Sequence, residues 1–228
     1  GTGENRTGST TTDIKKEMND AGFGRASNEL FMQFYYRIYK EIPNCKIGSF
    51  STLKNCIAPN FEAFRNWFQA KFLGGFVCRA DSFDNVSGQF PISFQIWDCE
   101  QKHNFPKELE FEVFEKTNKK DEDCNKKQSV GVKKVLNFGR NEVINAWFKT
   151  RHTSEEILGY VQHEPNDFQH QRGVYLSATE TSRPVKITQS NLIQGLVYVA
   201  VRLCIPATWL NDRDQFTAPR KTQQQFMI

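Results

Sequence analysis

Residues 59–98 constrain the fold most, because this stretch predicts a helix, a glycine stop and two strands in immediate succession. Four phenylalanines fall close to one helical stripe; they are Phe61, Phe64, Phe68 and Phe72. Asn60 is placed to cap this helix, and Gly74 and Gly75 favour its end. Strands are predicted over residues 75–80 and 90–97, the second rich in β-branched and aromatic residues.

The segment between the two predicted strands, residues 81–89, is polar except for Phe83 and Val86. Gly88 favours a sharp turn there. A phenylalanine in such a loop is unusual, and we expect it to be partly exposed and close to the turn at residues 51–54. This expectation rests on the rule that ligands bind where the carboxyl ends of parallel strands meet.

The preceding residues predict a helix from Ser27 to about Lys40, followed by a buried strand over residues 45–50. The predicted buried face of that helix comprises Leu30, Phe31, Phe34, Tyr35 and Ile38. A helix, strand, helix, strand succession implies an α/β fold, here a partial doubly wound sheet of mainly parallel strands. The last two strands are too close in sequence for a crossover helix, so they should form an antiparallel hairpin.

The remaining segments predict an appended α+β part. Residues 108–115 alternate as an amphipathic strand, with residues 130–138 as its partner. Short helices are predicted over residues 141–149 and at a capping box of Thr153 and Glu156. A strand over residues 174–178 and a buried helix over residues 190–203 complete this part. At the other end of the chain, the composition of residues 1–24 predicts a flexible lid with one helical turn.

Composition bounds the class of protein. The 228 residues, of which 38% are hydrophobic, suffice for a substantial core, and the net charge of +4 is compatible with nucleic acid. The six cysteines include no C-x-x-C pair, which predicts free buried thiols in a cytoplasmic protein. No signal peptide and no apolar run of membrane length is evident, so we expect no membrane partner.

The order of these elements resembles the C-terminal half of the core of adenine-specific (N6) DNA methyltransferases of restriction–modification systems. The resemblance covers residues 1–98 and rests on three segments: Phe50-Ser51-Thr52-Leu53, then Gly74-Gly75-Phe76-Val77 through Asp81-Ser82-Phe83, then Phe90-Pro91-Ile92-Ser93-Phe94. In that family a strand ends in a small-residue turn, and a loop with a hydrophobic residue leads into a last antiparallel strand. The resemblance implies methyl transfer to adenine in double-stranded DNA by a parent enzyme.

The chain departs from this family at two motifs. The catalytic Asn/Asp-Pro-Pro-Tyr/Phe motif and the glycine-rich S-adenosylmethionine loop are both absent. In the family both precede the helix that Ser27 opens here. We therefore expect the parent enzyme to use S-adenosylmethionine, and this chain alone to bind no cofactor and to need a missing N-terminal half as a partner.

The resemblance also implies roles for individual residues. Phe83 takes the position that stacks on the flipped-out target base, because an aromatic ring replaces part of the lost base stacking. The alternative is that Phe83 merely plugs the sheet end. The active-site wall would comprise Ser51, Thr52 and Asn85, and phosphate contacts would come from Lys54, Lys102, Arg151, Arg172 and Arg183 unless these are ordinary solvated cations.

A metal site is not predicted. The cluster of His163, Glu164, Asp167 and His170 contains Pro165 and lacks a helical i, i+4 pair, so a polar loop is the better interpretation.

Other functions remain open from sequence. A non-catalytic DNA-binding or interaction module would reuse the same architecture, and a nuclease-associated domain of a restriction enzyme is a further alternative. The predicted domains are residues 1–104, the methyltransferase-like part, and residues 105–228, the appended part. An apolar edge on the strand over residues 45–50 also predicts a homodimer or a covering segment.

Overall fold

A computed structural model describes residues 12–115, 129–148, 155–162, 174–180, 184–206, 208–211 and 216–218. The chain divides into two compact units, residues 1–137 and 138–228. The first contains a five-stranded mixed sheet and the second a three-stranded antiparallel sheet. The predicted α/β class is therefore confirmed.

The first unit begins with α1 (Asp13–Asp20), which Thr12 caps by accepting a hydrogen bond from the backbone N–H of Lys15 at 3.0 Å. Met18 of α1 is fully buried, and Phe23 packs edge-on against the ring of Phe64 at 5.6 Å. The prediction of a flexible lid is therefore wrong for residues 12–24, because their apolar side chains belong to the core. Residues 1–11 lie outside the described residues.

Helix α2 (Leu30–Glu41) follows, but Ser27 does not cap it. Ser27 lies in a 3-10 turn, and its hydroxyl donates to Asn19 Oδ1 at 2.6 Å. The buried face of α2 comprises Met32, Gln33, Tyr35 and Tyr36, whereas Leu30 and Phe34 are exposed. The predicted face is thus partly wrong, because aromatic rings from outside the helix, such as Trp67 beside Tyr36, decide which side is covered.

The five-stranded sheet comprises β1 (Lys46–Thr52), β2 (Ala70–Arg79), β3 (Pro91–Lys102), β4 (Glu108–Phe114) and β5 (Gly131–Leu136). Its order is β1-β3-β2-β4-β5. Only β2 and β4 pair in parallel among the described strands, and the other neighbouring pairs are antiparallel. The prediction of a mainly parallel sheet is wrong, because the hairpin places β3 between β1 and β2. The predicted hairpins β2–β3 and β4–β5 are confirmed.

Two short helices, α3 (Lys54–Ile57) and α4 (Glu62–Trp67), connect β1 to β2. Asn60 lies in the 3-10 turn between them and does not cap α4, whose N-cap is Phe61. The predicted helix is shorter than expected, since Phe72, Gly74 and Gly75 already belong to β2. A register shift between Phe72 and Gly74, where Gly74 has φ +143°, marks a bulge instead of a helix stop.

The two faces of the sheet differ. One face is buried and carries Ile47, Trp97, Val77 and Phe111. The other carries five phenylalanines in ring contact, which we call the phenylalanine face. They are Phe50, Phe76, Phe83, Phe94 and Phe114.

The second unit contains β6 (Gly159–Gln162), β7 (Tyr175–Ser177), β8 (Val185–Ile187), α5 (Ile144–Phe148) and α6 (Leu192–Leu203). Its core is formed by Ile144, Phe148, Val161, Val174, Ile187, Tyr198 and Val199. The predicted α5, β7 and α6 are therefore present. Helix α6 is not buried all round, however, because Ile193, Leu196 and Leu203 are exposed. Glu156 lies in no helix, and Thr153 is outside the described residues.

The predicted domain boundary at residue 104 differs from the structural division at residues 137 and 138, because β4 and β5 extend the first sheet. Strand β1 lies at an edge of that sheet, so the homodimer remains a prediction. The described cysteines form no disulfide, and only Cys56 and Cys99 among them are buried. Within the described ranges, no helix has the length and hydrophobicity needed to span a membrane.

Candidate functional site

The carboxyl ends of β1 and β2 lie at the same end of the first sheet. Both strands are antiparallel to β3, and both Thr52 and Cys78 pair with Ile92 in register. The turn after β1 and the loop after β2 therefore start at the same level. This end of the sheet brings together two of the segments that the sequence singles out.

Phe83 begins the irregular part of the loop after β2. Its backbone N–H donates to the carbonyl of Ala80 at 3.1 Å, and the N–H of Ala80 donates to the carbonyl of Phe90 at 2.9 Å. The ring of Phe83 stands edge-on to that of Phe50, with centroids 5.3 Å apart. Phe83 is 38% exposed and Phe50 is 49% exposed. The loop thus presents an accessible aromatic ring that a second ring supports from the side.

The base of this loop is held by an ion pair. Arg79 donates from Nε and Nη2 to the two carboxylate oxygens of Asp81, at 3.1 and 2.7 Å. This bidentate geometry is the strongest form of such a pair, and both side chains are partly shielded from solvent. The pair restricts the chain immediately before Phe83.

A buried polar network fixes the turn after β1. Gln95 and Asn55 face each other through their amides: Asn55 Nδ2 donates to Gln95 Oε1 at 2.8 Å, and Gln95 Nε2 lies 3.1 Å from Asn55 Oδ1. Gln95 Nε2 also lies 3.2 Å from the hydroxyl of Ser51, and Trp97 Nε1 donates to Gln95 Oε1 at 3.2 Å. The hydroxyl of Ser93 donates to the carbonyl of Ser51 at 3.0 Å. Because all these side chains are buried, the network makes the position of Ser51 unusually well defined.

Arg65 extends this support from α4. Its Nη1 donates to the carbonyls of Asn55 at 3.0 Å and Ala58 at 2.8 Å. Burial lowers the pKa of the Arg65 guanidinium, and it raises the pKa of the neighbouring Cys56 thiol to about 12. Cys56 is therefore a neutral thiol in the core beneath the site, out of reach of solvent.

Thr52 differs from its neighbours. Its Oγ1 is buried, and no described group forms a hydrogen bond with it. Thr52 lies two residues from Phe50 in β1, so the two side chains share a face of the strand. Ser51 lies between them and points to the opposite face. Two hydroxyl side chains belong to the predicted active-site wall. The hydroxyl of Thr52 lies on the side of Phe83, whereas that of Ser51 belongs to the buried polar network.

Asn85, the third predicted wall residue, is exposed and adopts φ +62°. This left-handed conformation suits asparagine, and it turns the loop back towards β3. No described contact joins Asn85 to Ser51 or Thr52. Its position in the loop is thus explained by backbone geometry.

The cationic side chains that were predicted to contact phosphate differ in their surroundings. Lys54 Nζ forms an ion pair with Glu29 Oε1 at 3.0 Å. Lys102 Nζ lies 4.3 Å from the ring centroid of Tyr39 and donates to the carbonyl of Cys99 at 3.2 Å. Arg151, Arg172 and Arg183, like the cluster from His163 to His170, lie outside the described residues.

Sequence reasoning missed Phe50, Asn55 and Gln95. Phe50 carried a usable signal, because it is the one large apolar residue on the face of the predicted strand that also holds Lys46 and Gly48. Asn55 and Gln95 carried none, since they are separated by 40 residues and meet only after β3 inserts beside β1.

In comparisons with known proteins, no protein-family model, no curated protein and no solved structure matches this chain.

Proposed function

We propose that this chain is part of a DNA adenine methyltransferase of a restriction–modification system and contributes contacts to the target base. Phe83 stacks on an adenine that has left the duplex, while the catalytic motif and the S-adenosylmethionine loop belong to a segment outside this chain. The chain by itself is then neither a methyltransferase nor a binder of S-adenosylmethionine. Double-stranded DNA and that missing half are its partners.

The exposed ring of Phe83 carries the proposal. The 38% of the Phe83 side chain that stays exposed adds no hydrophobic stability, because only apolar surface removed from water is stabilising. The bidentate ion pair at Asp81 and the edge-on ring of Phe50 nevertheless hold Phe83 in a defined place. A supported ring that stays partly exposed is suited to stacking on a flat base.

The order of the elements gives further support. Helix α2, strand β1, helices α3 and α4, strand β2, the Phe83 loop and the antiparallel strand β3 follow one another as the resemblance to the methyltransferase family implies.

The experiment measures the affinity of the chain for two kinds of DNA duplex by fluorescence anisotropy. One duplex contains an adenine opposite an abasic site, and the other is fully paired. The sequence that flanks the adenine is randomised in both. We expect tighter binding of the unpaired adenine, because less unstacking energy is then required. Phe83→Ala should weaken that complex roughly 5- to 150-fold, which corresponds to about 1–3 kcal/mol of stacking. Phe83→Tyr should keep most of the affinity.

The matched control is Val86→Ala in the same loop. Val86 is 37% exposed, much like Phe83, but offers no aromatic ring. Its truncation should leave binding unchanged. Equal affinity for paired and unpaired adenine, or equal effects of the two alanine variants, would refute the role of Phe83.

A further inference from the structure

Two cysteines face each other where β1 begins. Lys46 of β1 pairs with Asp98 of β3, so Cys45 and Cys99 are opposite by the same register. The backbone N–H of Cys99 donates to the carbonyl of Cys45 at 2.9 Å, which confirms this pairing. Residues of a hydrogen-bonded antiparallel pair such as this one have Cα atoms about 5.5 Å apart. That separation lies within the range of about 4.4–6.8 Å that a disulfide requires.

The two thiols also share one environment. The two positions lie on the buried face of the sheet, because side chains alternate along a strand and the residues two positions away, Ile47 and Trp97, are buried. Burial, followed by the neighbouring Cys45 side chain, raises the pKa of the Cys99 thiol to about 12. Cys99 is inaccessible to solvent, whereas Cys45 is partly exposed. A reagent from solution therefore reaches Cys45 first and Cys99 only through Cys45.

We propose that Cys45 and Cys99 form a modification site, a cross-strand disulfide made by exchange with a small disulfide such as oxidised glutathione. The Cys45 thiolate attacks one sulfur of the reagent, forms a mixed disulfide and releases one reduced glutathione. Cys99 then attacks the Cys45 sulfur, and its proton passes to the departing glutathione thiolate, which leaves as the second reduced glutathione. Two protein thiols are oxidised and one small disulfide is reduced, so that electrons and protons balance.

The position of the bond determines its effect. It joins the edge strand β1 to β3 and closes a loop that contains α3, α4, β2 and the Phe83 segment. A cross-link over so long a loop stabilises chiefly by restricting the unfolded chain. It lies at the opposite end of β1 from Thr52 and therefore leaves the candidate site unobstructed.

The test treats the folded full-length protein with oxidised glutathione, blocks the remaining thiols by alkylation before unfolding, and maps the peptides by mass spectrometry. We expect a peptide pair linked through Cys45 and Cys99, with Cys56 alkylated only after unfolding. The melting temperature should rise by about 5–15 °C on oxidation, and dithiothreitol should reverse the rise.

Two variants complete the test. Cys45→Ser removes the accessible member of the pair and should abolish both the linked peptide and the rise in melting temperature. Cys204→Ser is the matched control, because Cys204 is an exposed thiol in the second unit, and it should change neither result. A glutathione adduct that persists on Cys45 beside a free Cys99, or a disulfide from Cys45 to another cysteine, would overturn the proposal.

Discussion

Among single residues, Gln95 connects several elements around the turn after β1. Gln95 is completely buried in the middle of β3, a position that strands usually fill with apolar residues. It joins Ser51, Asn55 and Trp97, which come from three different elements. One amide therefore holds the turn after β1 against the centre of the sheet.

Replacing Gln95 with leucine should lower the free energy of unfolding by about 2–6 kcal/mol. The exchange keeps most of the volume but leaves the amide of Asn55 and the indole N–H of Trp97 buried without this partner, at about 1–3 kcal/mol for each group. Urea denaturation measures the change. Gln89→Leu in the exposed loop is the matched control and should stay within about 0.5 kcal/mol of the wild type. A similar small loss for Gln95→Leu would mean that the network adds little stability.

At the scale of the element, the boundary between α4 and β2 depends on contacts with β3. The phenylalanine stripe suits a continuing helix, yet the chain becomes extended from Ala70. Phe72 then packs on Trp97 at 4.9 Å and on Phe111 at 5.3 Å, both from the sheet. Long-range packing of this kind outweighs helical periodicity over a few residues.

Gly75 is the residue that permits the close contact between β2 and β3. A Cβ atom at this position would overlap the carbonyl oxygen of Phe94 and lie 3.0 Å from Cε1 of Phe111. Gly75→Ala should therefore cost about 1–3 kcal/mol of unfolding free energy, as overpacking of a core usually does.

Gly131→Ala is the matched control for this exchange. Gly131 also lies in a strand of the same sheet, but a Cβ there meets nothing within 4 Å. Its unfolding free energy should be unchanged or slightly higher, because alanine has less freedom to lose on folding. Equal urea midpoints for the two variants would show that β2 can shift away from β3 without cost.

At the scale of the whole molecule, each unit has a core of its own. The first encloses Trp97 and the aromatic residues around it, and the second is centred on Phe148 and Tyr198, whose rings stack at 4.7 Å. A compact unit with its own hydrophobic core can in principle fold alone.

A polypeptide of residues 1–137 should therefore unfold cooperatively on its own, because β4 and β5 complete its sheet. Cutting after residue 104 instead should abolish cooperative unfolding, since Leu109, Phe111 and Val113 of β4 supply part of the buried face. Near-ultraviolet circular dichroism during urea titration tests both polypeptides. A cooperative transition for the shorter one alone would favour a boundary near residue 104.

Local sequence patterns account for the individual helices and strands that were predicted correctly. Alternation in β4 and β5, the apolar segments of β2 and β3 and the short spacing between them are local patterns, so the hairpins and the α/β class could be predicted. The same holds for Phe83, since an apolar residue in a polar loop is visible without any knowledge of its neighbours.

Long-range contacts set the order of the strands, the end of α4 and the hydrogen bonds that support the candidate site. No local pattern says that β3 lies between β1 and β2, yet this insertion brings Gln95 to Asn55 and Phe94 to Phe50. It also places Cys45 opposite Cys99. These contacts join residues far apart in the chain, and they form because the sheet buries more apolar surface when its strands pair in this order than any single segment can bury alone.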